Sequence, residues 1–227
     1  MKNQIQDKPY TFNAFTEYKV YPKSTTYDSV VCADSYGQMF IVVGSDQSWK
    51  TKLIYSSNLC ATDITYEKST SNIICAYENG DIYVMILKND GNINIVQKLE
   101  NPNTLQSLSL STISMPIPLL VCSYINGEIK LFKLSEGYGL ICSIGSSIRQ
   151  ISCIVTYMNY VIVCGEDGFI NIWKVNNDLK INLVTSIEIP NRIPVGAVVI
   201  PSSENKISIV VSCYDYNSLV YLDNINL

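Results

Sequence analysis

A pattern of two short strands around a tight turn recurs five times along the chain. In its clearest copy, VIVCGEDGFINIWKV at residues 161–175, an apolar run, an acidic turn and an alternating run predict two antiparallel strands. Successive turns are separated by 43, 47, 41 and 49 residues. A period of roughly 40–45 residues is typical of β-propellers, in which each repeat supplies a four-stranded blade. The repeat therefore predicts an all-β β-propeller of about five blades, with turns that close at Gly37, Gly80, Gly127, Gly168 and Asn217.

The first four units each have room for four strands, and the fifth has room for three. Second strands such as IIC and VIVC are apolar on both faces, which predicts that they are sandwiched between neighbouring blades. Strands at residues 195–200, 207–213 and 219–222 leave the fifth unit without an outer strand. The first strand is predicted at residues 15–21. Residues 8–13 are the only spare segment that could supply the missing strand.

Composition favours a single β domain over residues 1–227, because 47% of the residues are hydrophobic and all-β domains commonly reach this size. A formal charge of −4 gives no reason to bind nucleic acid or an anionic membrane. The N-terminus lacks an apolar signal core, and no apolar window is long enough to cross a membrane. The eight cysteines include no CxxC pair, which indicates reduced thiols in a soluble, cytoplasmic protein.

The absence of histidine limits the chemistry that is open to this chain. It excludes Ser-His-Asp and Cys-His nucleophiles, zinc sites with histidine ligands and HExxH proteases. Glycine-rich phosphate loops are also missing. We therefore expect no catalytic residue, no metal and no cofactor. Five cysteines at equivalent second-strand positions are predicted to be small core residues: Cys32, Cys75, Cys122, Cys164 and Cys213.

An enzyme remains as an alternative interpretation, in the form of a five-bladed glycosidase. Such an enzyme needs two carboxyl groups held roughly 5–10 Å apart around the axis. Glu17 and Asp63 lie on predicted inner strands and could point there. The later inner strands, LQSLSLS, IRQISCIV and VGAVVI, contain no carboxylate, which makes an axial cluster improbable.

The turns between second and third strands are rich in tyrosine and acidic residues. In a propeller these turns emerge on one rim, and tyrosine is enriched in interface hot spots. The pattern predicts a surface for other proteins or peptide segments, including segments that carry lysine or arginine, and for assembly into a larger complex. The alternative is that the tyrosines pack between blades. The candidate contact residues are Tyr36, Tyr77, Glu78, Tyr124, Glu166, Asp167, Tyr214 and Tyr216.

Trp49 and Lys50 are a second candidate contact site, in a predicted loop after the first blade. Tryptophan is a frequent interface anchor. The alternative is that this tryptophan covers a gap at the edge of the ring.

The run GEDGFINIWKV resembles the end of a WD repeat, in which an acidic turn with glycine leads into an alternating strand and a Trp-Asp pair. Here the pair is Trp173-Lys174, other repeats place Met85, Phe132 or Leu222 at the tryptophan position, and the usual Gly-His pair cannot occur. A closer resemblance is to the family of WD-repeat protein fifty-four, carried by SIRQISCIV, VCGEDGFINIWKV and VVSCYDYNSLVYL. Members of that family are longer at the N-terminus and have repeats for a fuller ring. The resemblance implies a non-enzymatic scaffold for protein–protein interaction.

Overall fold

The computed structural model describes residues 12–17, 28–45, 48–88, 91–99, 105–114, 117–135, 137–203 and 206–227. Its regular elements are nineteen β-strands in five antiparallel sheets. The first sheet contains β1 (Phe12–Glu17), β2 (Asp28–Asp34), β3 (Gln38–Ser45) and β4 (Ser48–Ser56). The second contains β5 (Ala61–Glu67), β6 (Asn72–Tyr77), β7 (Ile82–Leu87) and β8 (Ile93–Leu99). The third contains β9 (Ser107–Ile113), β10 (Leu119–Tyr124), β11 (Glu128–Lys133) and β12 (Leu140–Gly145). The fourth contains β13 (Ile151–Tyr157), β14 (Tyr160–Gly165), β15 (Phe169–Val175) and β16 (Ile181–Glu188). The fifth contains β17 (Pro194–Ser203), β18 (Lys206–Cys213) and β19 (Val220–Asn226).

Each sheet is a meander in which strands pair in chain order, because short turns join neighbouring antiparallel strands. The inner strands β1, β5, β9, β13 and β17 pack against one another in sequence. The five sheets are therefore the blades of a propeller, and the predicted fold class is confirmed. The described residues form no helix long and apolar enough to cross a membrane.

Four apolar clusters fill the spaces between successive blades. The second strands β6, β10 and β14 are buried at every position. A strand buried on both faces needs apolar residues at odd and even positions, and this requirement explains the continuous apolar runs in these strands. The prediction of sandwiched second strands is confirmed for these three blades.

The fifth blade differs because nothing packs on its outer face within the described part of the chain. Val198 on β17, Val210 on β18 and Tyr221 on β19 lie side by side across this face. The side chains of Val198 and Tyr221 are 63% and 58% exposed. Among the described residues, β17 does not pack against β1 as the other inner strands pack against their neighbours. Among these residues, the fifth and first blades therefore share no apolar cluster of the kind that joins the other blades.

The first blade begins earlier than the sequence pattern predicts. β1 covers Phe12–Glu17 rather than residues 15–21, and residues 18–21 lie outside the described part of the chain. A register shift between Phe12 and Ala14 interrupts the alternation of side chains, so a search for period two misses the start of the strand. Residues 12 and 13, which were predicted to be part of a spare segment at 8–13, belong to this inner strand instead. Residues 8–11 lie outside the described part of the chain.

The five second-strand cysteines are buried, as predicted, but one of them points the other way. Cys75 pairs with Tyr83 and packs towards the first blade, whereas Cys164 pairs with Ile170 and packs towards the fifth. In the second blade the last pair before the turn is Ala76 with Ile82, and in the fourth blade it is Cys164 with Ile170. Cys164 is therefore level with Ala76 rather than with Cys75. Because side chains alternate between faces, this offset of one residue moves the Cys164 thiol to the opposite face. Cys213 pairs with Pro194 and is level with Tyr77, so it keeps the face of Cys75 at an offset of two residues. The predicted equivalence is therefore wrong for Cys164 and Cys213.

Candidate protein-interaction rim

The turns between second and third strands and the connections between blades form one continuous surface, which we call the upper rim. Backbone hydrogen bonds join the two kinds of segment: Ser57 N–H donates to the Gly37 carbonyl over 2.8 Å, and Ile189 N–H donates to the Gly168 carbonyl over 2.8 Å. The approach is closest at Gly127, which has a φ of +81° and where an added Cβ would lie 2.1 Å from the Ser147 carbonyl oxygen. Only glycine fits such a site. The upper rim is thus built from tightly tied backbone.

Two of the predicted contact tyrosines are not on the surface. Tyr77 and Tyr124 are each only 1% exposed. The Tyr77 ring lies 4.9 Å from the ring of Tyr83, and the Lys130 ammonium group lies 4.6 Å from the centre of the Tyr124 ring. Both rings pack between blades, where the large apolar area of an aromatic ring is best buried. The prediction that Tyr77 and Tyr124 are gathered on the rim surface is therefore wrong.

Tyr36, Tyr214 and Tyr216 are exposed on the upper rim, and Tyr214 is 65% exposed. The Arg192 guanidinium group stacks 3.5 Å from the centre of the Tyr216 ring. Hydrogen bonding to Ser218, and then to Arg192, lowers the pKa of the Tyr216 hydroxyl. A stacked cation holds an exposed aromatic ring in place, so less rotamer freedom is lost when a partner binds.

The acidic candidates Glu78, Glu166 and Asp167 lie on the upper rim, and each carboxylate holds a blade connection. Glu78 accepts a hydrogen bond from Cys60 N–H over 3.2 Å, and Glu166 accepts one from the Gln150 side chain. Asp167 accepts hydrogen bonds from the Ser147 hydroxyl over 2.8 Å and from Ile148 N–H over 3.1 Å. These acids stabilise the rim and also place negative charge on it.

Trp49 and Lys50 are not in a loop but at the beginning of β4. Lys50 pairs with Val43 and Trp49 pairs with Gly44, next to the short connection from β3. This end of the blade is the opposite rim, which we call the lower rim. Lys50 is exposed, and the Trp49 side chain is outside the description. β3 and β4 are longer than the sequence pattern suggests, so their antiparallel pairing extends into the segment that was predicted to be a loop.

Of the two candidate axial carboxylates, Asp63 is the one whose side chain the structure describes. The Glu17 side chain lies outside the described part of the structure, and the Asp63 carboxylate accepts hydrogen bonds from backbone N–H groups. Asp63 accepts hydrogen bonds from Ile64 N–H and Leu110 N–H, each over 2.7 Å, and so ties β5 to β9. Burial raises the pKa of Asp63 to about 6, against the opposing effect of bonds from Leu110, Ile64 and Ser109. Within the described part of the chain, no three His, Cys, Asp or Glu side chains could hold a metal ion.

Sequence reasoning missed the most exposed apolar side chain of the upper rim. Ile148 is 92% exposed, and Ile125 and Phe169 are also exposed there. A predicted strand over residues 148–155 would place Ile148 in the sheet, but β13 begins only at Ile151. The run Gly-Ser-Ser before Ile148 could have indicated that Ile148 lies in a turn, because glycine and serine favour turns.

No protein-family model and no curated protein sequence matches the chain. Solved structures do match, among them BBS1N in complex with ARL6DN, from a crystal soaked with lead. That match has a TM-score of 0.66 at 12% sequence identity and covers 94% of this chain and 63% of the other. BBS1N is a β-propeller, so the likeness supports the same fold here. The chain spans about 63% of the length of the structure that it matches.

Proposed function

We propose that this protein is a non-catalytic scaffold that binds other proteins or peptide segments through its upper rim. The observation that carries the proposal is the placement of Tyr36, Tyr214 and Tyr216 as exposed rings on a tightly bonded rim. Large rings with polar tips supply contact area at low entropic cost and dominate many interfaces. The propeller of BBS1N was solved in complex with another protein, which is consistent with this use of the fold.

We also assign the blades to the WD type, on the strength of the fourth blade and of the resemblance to the family of WD-repeat protein fifty-four. Trp173 Nε1 donates to the Ser146 hydroxyl over 2.8 Å, so the tryptophan side chain ties its blade to the preceding connection. With no histidine to extend that bond into a larger network, the blades depend mainly on the apolar clusters between them. A cytoplasmic location agrees with the free thiols.

The glycosidase alternative has weaker support than the scaffold. Both oxygens of Asp63 already accept backbone hydrogen bonds, which leaves this carboxylate poorly placed to bind a sugar. The inner strands β9, β13 and β17 contain no aspartate or glutamate. Two carboxyl groups facing one glycosidic bond are the requirement for that chemistry.

Changing the exposed tyrosines to alanine (Y36A/Y214A/Y216A) is expected to remove bound proteins in affinity purification from the native cell. Loss of each exposed ring removes contact area but little fold stability, because these rings are not in the core. Quantitative mass spectrometry should show at least one partner reduced about tenfold or more relative to the unsubstituted protein, as loss of a hot spot implies.

The matched control is L140A/M158A, which removes two exposed apolar side chains from the lower rim. The control should retain the same partners. Equal retention by the tyrosine variant, with an unchanged circular dichroism spectrum, would contradict the proposal.

A further inference from the structure

An open groove of about 490 Å³ lies on the upper rim where the third and fourth blades meet. Ile148 and Phe169 are its exposed apolar side chains, and Ser146, Asn171 and Ser186 also line it. Nearly complete exposure of an isoleucine leaves most of its apolar surface in water, which is unfavourable. The groove is therefore a place where a partner's apolar side chain gains from contact.

The surroundings of the groove are predominantly acidic. Asp167 lines it, and Glu166 precedes Asp167 in the same turn. Glu188 is exposed and pairs with Phe169, while Glu128 pairs with Gly145, another lining residue. Charges of one sign around a cleft attract the opposite charge on a partner.

Two cations lie near these acids and partly offset them. Arg149 is exposed next to Ile148, and the Lys130 ammonium group lies 3.9 Å from Glu128. Four carboxylates against two cations leave the groove surroundings negative. An acidic partner segment is therefore disfavoured, and a basic one is favoured.

The turn in this region is firmly held, so the groove exists before a partner arrives. Asp167 fixes the Ser147 hydroxyl and Ile148 N–H, and Asn171 donates to the Ser146 carbonyl. A groove whose backbone is already ordered loses little entropy on binding. The exposed Ile148 side chain is thus presented on a fixed base.

From these observations we infer that the groove binds an extended peptide segment that carries an aliphatic side chain next to lysine or arginine. The aliphatic side chain lies against Ile148 and Phe169, and the basic side chain lies towards Glu188 and Asp167. This inference rests on the proposed scaffold function and names the chemistry of the partner at one place on the upper rim.

The test is selection of a random dodecapeptide library displayed on phage against the immobilised 227-residue chain. A library makes the result independent of any one guessed sequence. Enrichment of peptides with adjacent aliphatic and basic residues is the expected result. No enrichment, or enrichment of acidic peptides, overturns the inference.

Variants then locate the site, with a selected peptide synthesised and measured by fluorescence anisotropy. I148E is expected to weaken binding about tenfold or more, because it removes the apolar contact and buries a charge. The matched control L140E makes the same kind of change on the lower rim and should stay within about twofold. E188K should also weaken binding, and added sodium chloride should weaken it for the unsubstituted chain, since the attraction is partly electrostatic. Equal binding by I148E overturns the inference.

Failure of this inference can be distinguished from failure of the scaffold function. If the library yields no basic peptide while Y36A/Y214A/Y216A still loses cellular partners, the groove does not bind such a peptide, but the exposed tyrosines of the upper rim do bind partners. If I148E blocks the selected peptide while the tyrosine variant keeps every partner, the groove binds and the tyrosines do not contribute.

Discussion

Truncation of Val163 to alanine is expected to lower the free energy of unfolding by about 2–3 kcal/mol, whereas the same truncation of Val210 should cost less than about 1 kcal/mol. Both residues are valines in the second strand of a blade. Val163 is completely buried in the cluster between the third and fourth blades, so its removal leaves a cavity. Val210 faces outwards on the fifth blade, where its neighbours Val198 and Tyr221 are exposed.

Urea denaturation followed by circular dichroism measures both values, and comparison of the slopes shows whether unfolding stays cooperative. Repeat arrays can unfold in parts, so the two variants should be compared only where their slopes agree. An equal loss at both positions would mean that the outer face of the fifth blade is covered in solution. Sedimentation would then show whether a second copy of the chain covers it, because its mass would be twice 25.4 kDa.

Replacement of Asp63 by asparagine is expected to destabilise the protein more strongly at acidic pH than at neutral pH. The asparagine side chain has one oxygen, so one of the two backbone donors, Ile64 N–H or Leu110 N–H, loses its acceptor and faces an NH₂ group. An unsatisfied buried donor costs about 1–3 kcal/mol at any pH.

The pH dependence follows from the raised pKa of Asp63, about 6 in the folded chain against an ordinary value of 3.8. Between these values the folded state binds the proton and the unfolded state does not. The Asp63 contribution is therefore fully present below pH 3.8 and is lost as the pH rises through 6, a total change of about 3 kcal/mol.

Unfolding of both proteins at pH 4.5 and pH 7.5 tests this expectation. The stability difference between the unsubstituted chain and D63N should be larger at pH 4.5 by about 2 kcal/mol, the part of the change that falls between those pH values. Other carboxyl groups titrate in both proteins and cancel in the difference. A difference that is constant with pH, or larger at pH 7.5, would show that burial does not raise the pKa of this carboxyl group.

The exposure of individual tyrosines could not be predicted from the sequence. Tyr77 and Tyr214 occupy similar places before their turns, yet Tyr77 is buried between two blades and Tyr214 is exposed. Their places in the sheets differ by one residue: Tyr77 pairs with Ala61 at the end of β6, and the corresponding residue at the end of β18 is Cys213, which pairs with Pro194. Tyr214 follows the strand and is level with Glu78, because Tyr214 N–H donates to the Ile193 carbonyl as Glu78 N–H donates to the Cys60 carbonyl. Tyr77 therefore packs in the core between the first and second blades, whereas Tyr214 is exposed in its turn. Exposure of a side chain depends on the strand register, which equal spacing from a turn does not fix.

Ile148 and Cys164 show the same limit at the scale of one residue. A strand that begins three residues later leaves Ile148 on the surface, and a register offset of one residue turns Cys164 to the opposite face. Periodicity of two identifies strands reliably but assigns a face only when the register is known. Short apolar runs at strand ends carry too little information to fix it.

The sequence by itself determined the all-β class, the five repeated units, their strand order and the absence of histidine chemistry. These properties are local, because meander pairing joins strands that follow one another within about 45 residues. Only the tertiary structure decided which rings lie on the upper rim, that Asp63 accepts a hydrogen bond from β9, and that no described residue packs on the outer face of the fifth blade. These properties arise from contacts between blades, and the free energy of such contacts depends on which two sheets meet rather than on the pattern within either one.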